Sequence, residues 1–366
     1  MQDMMNRAGA VLKIDLQALR ANYRLLQTTL GSARCGAAVK ADAYGLGAVE
    51  VSKALYAEGC RHFFVAHLQE GITLRPHLPQ DAQIIVMHGS PVACEAEFLQ
   101  YGCIPVLNSK EQIAAWRALA AQRQQRLPAL LQIDTGMARM GMSAAEVQML
   151  RDDAHCLDGI EVQYLMSHLA SAEDQANPMN QQQLERFREL RALLPGVKAS
   201  LANSSGIFLG PDFHFDLARP GAALYGVAPV AGAVNPMQPV AHLQGKIIQT
   251  REIPAGTGVG YGSTWRSSET TRIATVAVGY ADGWMRSLSN RGVAHIQGQA
   301  VPMVGNVSMD TITLDVTQVA ADKLAPGTLV DLISGANTVD QVAERAGTIG
   351  YEILTSLGAR YQREYI

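Results

Sequence analysis

The sequence predicts an α/β fold: an N-terminal (β/α)8 TIM-like barrel followed by a C-terminal mostly-β domain. Three observations predict it. The chain has 366 residues, 48% of them hydrophobic, which is more than one ordinary core organises and suits two domains. Up to about residue 240, apolar runs alternate with segments of helical spacing. After Pro239 the texture changes to short β-like runs punctuated by turn residues.

The first half contains eight candidate strands: Arg34–Ala41, His62–His67, Gln83–His88, Cys103–Asn108, Leu130–Asp134, Ile160–Ser167, Ala199–Asn203 and Asp216–Leu224. Between several of them, Ala48–Glu58, Lys110–Gln122, Ala144–Asp153 and Gln181–Leu194 mix apolar and charged residues at helical period. Strand–helix alternation implies parallel pairing with right-handed crossovers, and eight such units imply a closed barrel. A doubly wound open sheet is the competing arrangement. The second half offers His242–Ile253, Arg272–Val278, Val293–Ile296, Thr311–Val316 and Thr328–Ile333, with Pro254-Ala255-Gly256 and Pro326-Gly327 as turns. Thr338–Ala346 is a short amphipathic helix capped by Thr338 or Asn337. The domains so defined are 1–240 and 241–366. The first apolar run, Ala10–Ile14, precedes an N-capping Asp15 and a helix to about Leu30, and either domain is open to it.

Composition excludes several classes of function. Net charge is −3 and the isoelectric point about 6.3, with no basic excess for nucleic acid or an anionic membrane. The polar start, Met1 to Gly9, lacks the apolar core of a signal peptide, and no run approaches a membrane span. The five cysteines (Cys35, Cys60, Cys94, Cys103, Cys156) are odd in number and form no CxxC, which predicts a reducing, cytoplasmic setting. The nine histidines show no metal-ligand spacing. A small molecule or another protein is the expected partner.

In a barrel, chemistry collects where strands end. Lys40 follows Ala37-Ala38-Val39, and Arg139 lies just past Asp134-Thr135-Gly136. His168 ends the sixth strand, Asn203-Ser204-Ser205-Gly206 follows the seventh, and Arg219-Pro220-Gly221 interrupts the eighth. A lysine at the end of an apolar strand loses solvation, which lowers its pKa and frees an amine to attack an aldehyde. The rival reading is a lysine that snorkels at a strand edge. The seventh and eighth loops offer the Ser204 hydroxyl and the Gly221 and Ala222 amides where barrels often hold phosphate, and Tyr44-Gly45-Leu46-Gly47 adds to them. Gly256 to Gly262 is no dinucleotide fingerprint, since it opens no helix.

The ordered motifs carry more. Ala38-Val39-Lys40-Ala41-Asp42-Ala43-Tyr44-Gly45-Leu46-Gly47 is followed by Gly136-Met137-Ala138-Arg139-Met140-Gly141, Ser167-His168-Leu169-Ala170, Asn203-Ser204 and Arg219-Pro220-Gly221. Then come Gly260-Tyr261-Gly262, Gly279-Tyr280-Ala281-Asp282-Gly283, Ser308-Met309-Asp310 and Gly350-Tyr351-Glu352. Over nearly the whole chain this set resembles the alanine racemases, the pyridoxal-phosphate enzymes of fold type III. The resemblance implies a barrel plus β-domain, a head-to-tail homodimer with shared active sites, and pyridoxal 5'-phosphate as cofactor. Lys40 would carry the cofactor and exchange the α-proton of L- or D-alanine on one face. Tyr261, from the other subunit, would serve the opposite face. Tyr44, Ser204, Gly221, Ala222 and Tyr351 would bind the phosphate. Arg219 would face the pyridine nitrogen, with His168 linking it to Tyr261. Arg139 would contact the cofactor's phenolic oxygen and the substrate, and Asn203 would support the site. Met309 would line the pocket from the partner chain, while Tyr280 and Tyr351 would narrow the access. Supply of D-alanine for peptidoglycan is the implied role.

Three positions depart from the family pattern. Gln132 stands where many members have a lysine that orients the arginine matching Arg139. Asn306 stands where an arginine is common, and Leu46 replaces a common histidine. The Asn306 change motivates a second reading, a racemase of broader specificity for serine or a basic amino acid. A non-catalytic cofactor carrier would resemble the barrel alone, and a related decarboxylase would not require Gly260-Tyr261-Gly262 or Arg219.

Overall fold

The computed structural model of the protein describes residues 7–153 and 155–366; the polar start, Met1–Asn6, lies outside them. Seven strands form one parallel sheet in chain order: Ala37–Ala38, His62–Val65, Gln83–Val86, Cys103–Leu107, Leu127–Gln132, Ile160–Met166 and Lys198–Ser200. The eighth, Leu217–Ala218, runs parallel to Arg34–Cys35, where the first barrel strand begins. It is joined to the seventh by Asp216 N–H to Ala199 O (3.0 Å) and Arg219 N–H to Ala202 O (2.9 Å). These bonds close the barrel, and the open doubly wound sheet is excluded.

The helices Ala48–Ala57, Lys110–Arg123, Ala144–Asp152 and Pro178–Ala192 fall between barrel strands, as their periodicity predicts. All eight barrel strands end earlier than expected, and for two of them the cause is plain. The eighth stops at Ala218, because Pro220 has no N–H to donate and Ala222–Tyr225 winds into a 3-10 turn. The first stops at Ala38, because the chain beyond Val39 turns left-handed.

The strand Ala10–Ile14 resolves its open choice in favour of the β-rich part. It lies antiparallel to Ala241–Ile253 and parallel to Gln362–Tyr365. The long strand Ala241–Ile253 also pairs with Thr271–Val276 and Leu329–Ile333, so it is the spine of that part. The strands Gln299–Pro302 and Gln362–Tyr365 and the helix Gly350–Ser356 were not legible in the sequence. The first exposes three of its four residues and the second buries none, so neither carries an apolar alternation. One continuous apolar core, from Leu12 and Phe63 to Val276 and Leu332, runs through both parts.

Asp15 caps the helix Leu16–Leu30: its Oδ1 accepts the Gln17 and Ala18 N–H groups, each at 2.8 Å. Asp15→Ala leaves those donors without their cap and is expected to cost about 1 kcal/mol of unfolding free energy, measured by denaturant titration.

Candidate active site

A cavity of about 840 Å³ opens at the C-terminal end of the barrel strands. Its walls include Lys40, Tyr44, Arg139, His168, Asn203, Ser204, Arg219, Gly221, Ala222 and Tyr351, so ten of the thirteen residues singled out from the sequence meet in one place.

Lys40 opens an unusual turn. Ala41, Asp42, Ala43 and Tyr44 all have φ between 52° and 57°, a left-handed run built of residues other than glycine. Each such residue costs roughly 1–2 kcal/mol, so the run persists only where its surroundings over-determine it. The clamps are visible. Asp42 Oδ1 accepts Ala48 N–H (2.7 Å), and Arg363 Nη2 donates to Gly45 O (3.0 Å). The Tyr365 hydroxyl occupies the place of a side chain at Gly47, whose φ of +95° also demands glycine. Burial lowers the Lys40 pKa from the ordinary lysine range, Arg139 lowers it further, and Glu70 opposes them.

Arg219 is 5% exposed. Its guanidinium donates to Ser200 Oγ and Ser167 O, both at 2.6 Å, and to Leu201 O at 3.5 Å. Burial brings it down to about 10, which leaves it protonated at neutral pH. Arg219 Nη2 stands 3.4 Å from His168 Nδ1. An arginine only donates, so Nδ1 accepts and the histidine proton sits on Nε2. Burial, then the Arg219, Arg139 and Lys40 charges, push His168 down to about 3, and the ring is neutral.

The phosphate-type loops are pre-assembled. Ser204 Oγ accepts the Gly221 N–H at 2.9 Å and the Ala223 N–H at 3.2 Å, which joins the seventh loop to the eighth. The Ala222 amide between them has no partner among the described residues. A Cβ on Gly221 would stand 2.4 Å from the Tyr44 hydroxyl, so only glycine brings this loop against Tyr44. The Tyr44 ring packs on Tyr225 and Tyr351, at centroid distances of 4.8 and 6.3 Å. Asn203 shapes the loop after the seventh strand, its Oδ1 accepting Gly206 N–H at 2.8 Å.

Several supporting residues escaped the sequence reading. Gln183, fully buried, accepts Ala170 N–H (2.8 Å) and donates to His168 O (2.9 Å) and Thr135 Oγ1 (3.1 Å), which fixes the histidine loop. Asp134 Oδ1 accepts the N–H groups of Gly136, Met137 and Ala138 and so shapes the loop that carries Arg139. Gln132 does not reach Arg139. The chain folds back so that Met142 N–H meets Gln132 O (2.8 Å), and the Gln132 amide donates instead to Met140 O at 3.4 Å. Arg139 has no hydrogen-bond partner among the described residues.

Tyr261, Tyr280 and Met309 do not line this cavity. They are 74%, 44% and 53% exposed on the β-rich part. They lie on neighbouring loops: Tyr280 N–H bonds Ser308 O (3.0 Å), Ala281 N–H bonds Met309 O (3.0 Å), and Asn306 Nδ2 donates to Tyr261 O (2.7 Å). Within one chain the cavity therefore holds one side of the expected acid–base pair.

The residues present fit pyridoxal phosphate. A less basic lysine suits an aldehyde, an unpartnered amide beside a serine and two tyrosines suits a phosphate, and a fixed cation suits a ring nitrogen.

Residues 14–229 match the family described as alanine racemase, N-terminal domain, and residues 240–365 match alanine racemase, C-terminal domain. A catabolic alanine racemase of Mesorhizobium japonicum is 50% identical over 359 residues, spanning 98% of this chain and 94% of the relative. An alanine racemase of Brucella abortus is 47% identical over 372 residues, with coverage of 98% and 94%. The alanine racemase of Bartonella henselae, solved with covalently bound pyridoxal phosphate, superposes with a TM-score of 0.94 at 42% identity, covering 98% of this chain and all of the other. The biosynthetic alanine racemase of Pseudomonas aeruginosa superposes with a TM-score of 0.91 at 34% identity, covering 98% and 99%.

The histidine shifts carry a pH consequence. His168 and the buried His62 are held near 3 and 4 in the fold, below the ordinary 6.5. The unfolded chain then binds protons that the native chain refuses, so the stabilisation is complete above about 6.5 and is lost as pH falls toward those lower values. Unfolding free energy is expected to decline between pH 6.5 and 5, before most carboxylates titrate, and to decline less steeply in His168→Asn. An identical slope in the two proteins would mean that the fold does not lower the pKa of His168.

Proposed function

The chain belongs to the alanine racemase family of pyridoxal-phosphate-dependent racemases, and from that premise we propose that it interconverts L- and D-alanine with two bases, Lys40 and Tyr261 of the partner subunit. The observation that carries this reading is the convergence of Lys40, Arg139, His168 and Arg219 on one cavity beside the Ser204–Gly221–Ala222 cradle. We also assign residues 1–240 to the cofactor-binding barrel and 241–366 to the β-domain, with the strand Ala10–Ile14 serving the latter.

Bound pyridoxal phosphate supplies an electron-withdrawing ring conjugated with the substrate's Cα, which acidifies the α-proton. The chain's own residues do the rest. Lys40 would hold the cofactor and, as a free amine, takes or returns the α-proton on its face; burial and Arg139 favour the neutral amine that can accept a proton, and Glu70 opposes them. Arg219 stays protonated and donates only, so it offers no second proton to the ring. Ser204, Gly221, Ala222, Tyr44 and Tyr351 hold the phosphate. Arg139, without a protein partner, is available to the phenolic oxygen and the substrate carboxylate. The neutral His168 lines the cavity with an Nε2–H that has no partner among the described residues, a donor suited to the oxygen of Tyr261 of the partner subunit. One group cannot serve both faces of a planar carbon, so the second base must come from elsewhere, and an exposed tyrosine on a second copy meets that need.

Supply of D-alanine for the cell wall is the cellular role we propose. The catabolic naming of the Mesorhizobium japonicum relative favours alanine breakdown as a second reading, and D-alanine auxotrophy of a deletion strain decides between them.

Circular dichroism of L-alanine with the holoenzyme is expected to decay to zero with no loss of total alanine. A larger amino acid turned over faster than alanine would replace the substrate assignment. Lys40→Ala is expected to abolish both racemisation and the visible absorption of bound cofactor; wild-type activity in that variant would sink the mechanism. Mixing inactive Lys40→Ala and Tyr261→Phe chains is expected to restore activity, since one site of each heterodimer is intact. No recovery after verified subunit exchange would refute site sharing.

A further inference from the structure

We propose that Glu70 is a positioning residue for Lys40, its carboxylate splinting the left-handed turn to the end of the neighbouring barrel strand. Glu70 stands in the first turn of the helix Leu68–Leu74. One of its oxygens, Oε2, accepts the Ala66 and His67 N–H groups at 2.6 and 2.9 Å, which is an ordinary capping duty. The other oxygen leaves that helix altogether. Oε1 accepts the N–H of Ala41 at 2.6 Å, from a residue 29 positions away.

That amide directly follows Lys40 and begins the left-handed run. The other clamps on the turn act farther along, at Asp42, Gly45 and Gly47. Among the described residues, Glu70 alone grips the turn beside the lysine by a side chain, and it does so from the helix that follows the second barrel strand. Capping the helix requires one oxygen; bridging to Ala41 requires two. Aspartate is one methylene short of spanning both, and glutamine keeps a single acceptor oxygen.

The same carboxylate acts on the lysine through its charge. Arg139, His88 and His168 are the other titratable groups whose charges couple to Lys40, and Arg139 is a cation that disfavours the ammonium form. Glu70 works in the opposite sense. It thus places the Lys40 nitrogen and tempers how far its basicity falls. This inference rests on Lys40 being the reacting amine.

The test uses the full-length holoenzyme and the variants Glu70→Gln and Glu70→Asp. Amide exchange across residues 41–47 is expected to quicken about tenfold to a hundredfold in both variants, the range that a lost charge-assisted hydrogen bond implies. The pH at which the cofactor-linked Lys40 nitrogen loses its proton, read from visible absorption, is expected to fall in Glu70→Gln and to stay closer to wild type in Glu70→Asp, which keeps the charge. The value of kcat is expected to drop while KM for alanine changes little. Unchanged exchange and an unchanged absorption midpoint, with only a lower Tm, would reduce Glu70 to a helix cap and overturn the proposal. Retained racemisation in Lys40→Ala would instead refute the catalytic reading and leave the exchange result to stand by itself.

Discussion

The architecture of the site turns on one buried cation. Taking a guanidinium out of water is costly unless its donors are met, and Arg219, just past the eighth strand, meets them with groups at the ends of the sixth and seventh. Ser167 closes the sixth strand, Ser200 and Leu201 the seventh, and Arg219 itself follows the eighth. Ser200 Oγ couples two of these ends directly, accepting from Arg219 and donating to Leu217 O at 2.6 Å. Satisfying one charge therefore fixes where three strands stop and their loops begin. It also dictates the state of His168, since an adjacent donor that never gives up its proton forces a neutral ring with the proton on Nε2.

The lysine side of the cavity solves a different problem. Lys40 is held by geometry more than by charge, on a turn whose backbone is unfavourable residue by residue. The clamps come from three places: the helix after the second barrel strand through Glu70, the turn's own Asp42, and the C-terminal strand through Arg363 and Tyr365. The last of these makes the β-rich part a structural participant in the barrel's chemistry within a single chain. A strained loop supported on both sides leaves the lysine few alternatives to the position that the reaction requires.

The parts of this site that a sequence displays are those whose residue type is odd for its place. A lysine, an arginine and a histidine at the ends of apolar runs announce themselves, and so do the eight runs that build the barrel. The left-handed turn did not, because Ala41, Asp42, Ala43 and Tyr44 carry no glycine signal; Gly45 and Gly47 were the only hint that the backbone is special there. Glu70 fell outside every element predicted from the sequence, and Gln183 was one polar position on a predicted helix. Their partners lie 29 and 48 residues away, and a contact at that separation leaves no periodicity in the chain. Gln132 stands where the family pattern puts a residue that orients Arg139, yet the backbone pairing with Met142 turns its amide to Met140 O instead.

Two facts about a single chain answer one another. The cavity gathers Lys40, two arginine cations, a neutral histidine and a phosphate-type cradle, and Tyr261, the second base of the proposed mechanism, is not among its walls. Meanwhile Tyr261, Tyr280 and Met309 lie together in water on the β-rich part, with Asn306 pinning the Tyr261 carbonyl. Large side chains grouped in this way are costly ornaments on a monomer and useful ones at an interface. A head-to-tail pairing that sets this patch of each chain over the cavity of the other would remove the exposure and supply the missing base in the same step. The lone neutral donor of His168 and the exposed hydroxyl of Tyr261 are then the two halves of one contact. That is why the homodimer belongs to the proposed mechanism itself: without the second copy, the chemistry has only one side.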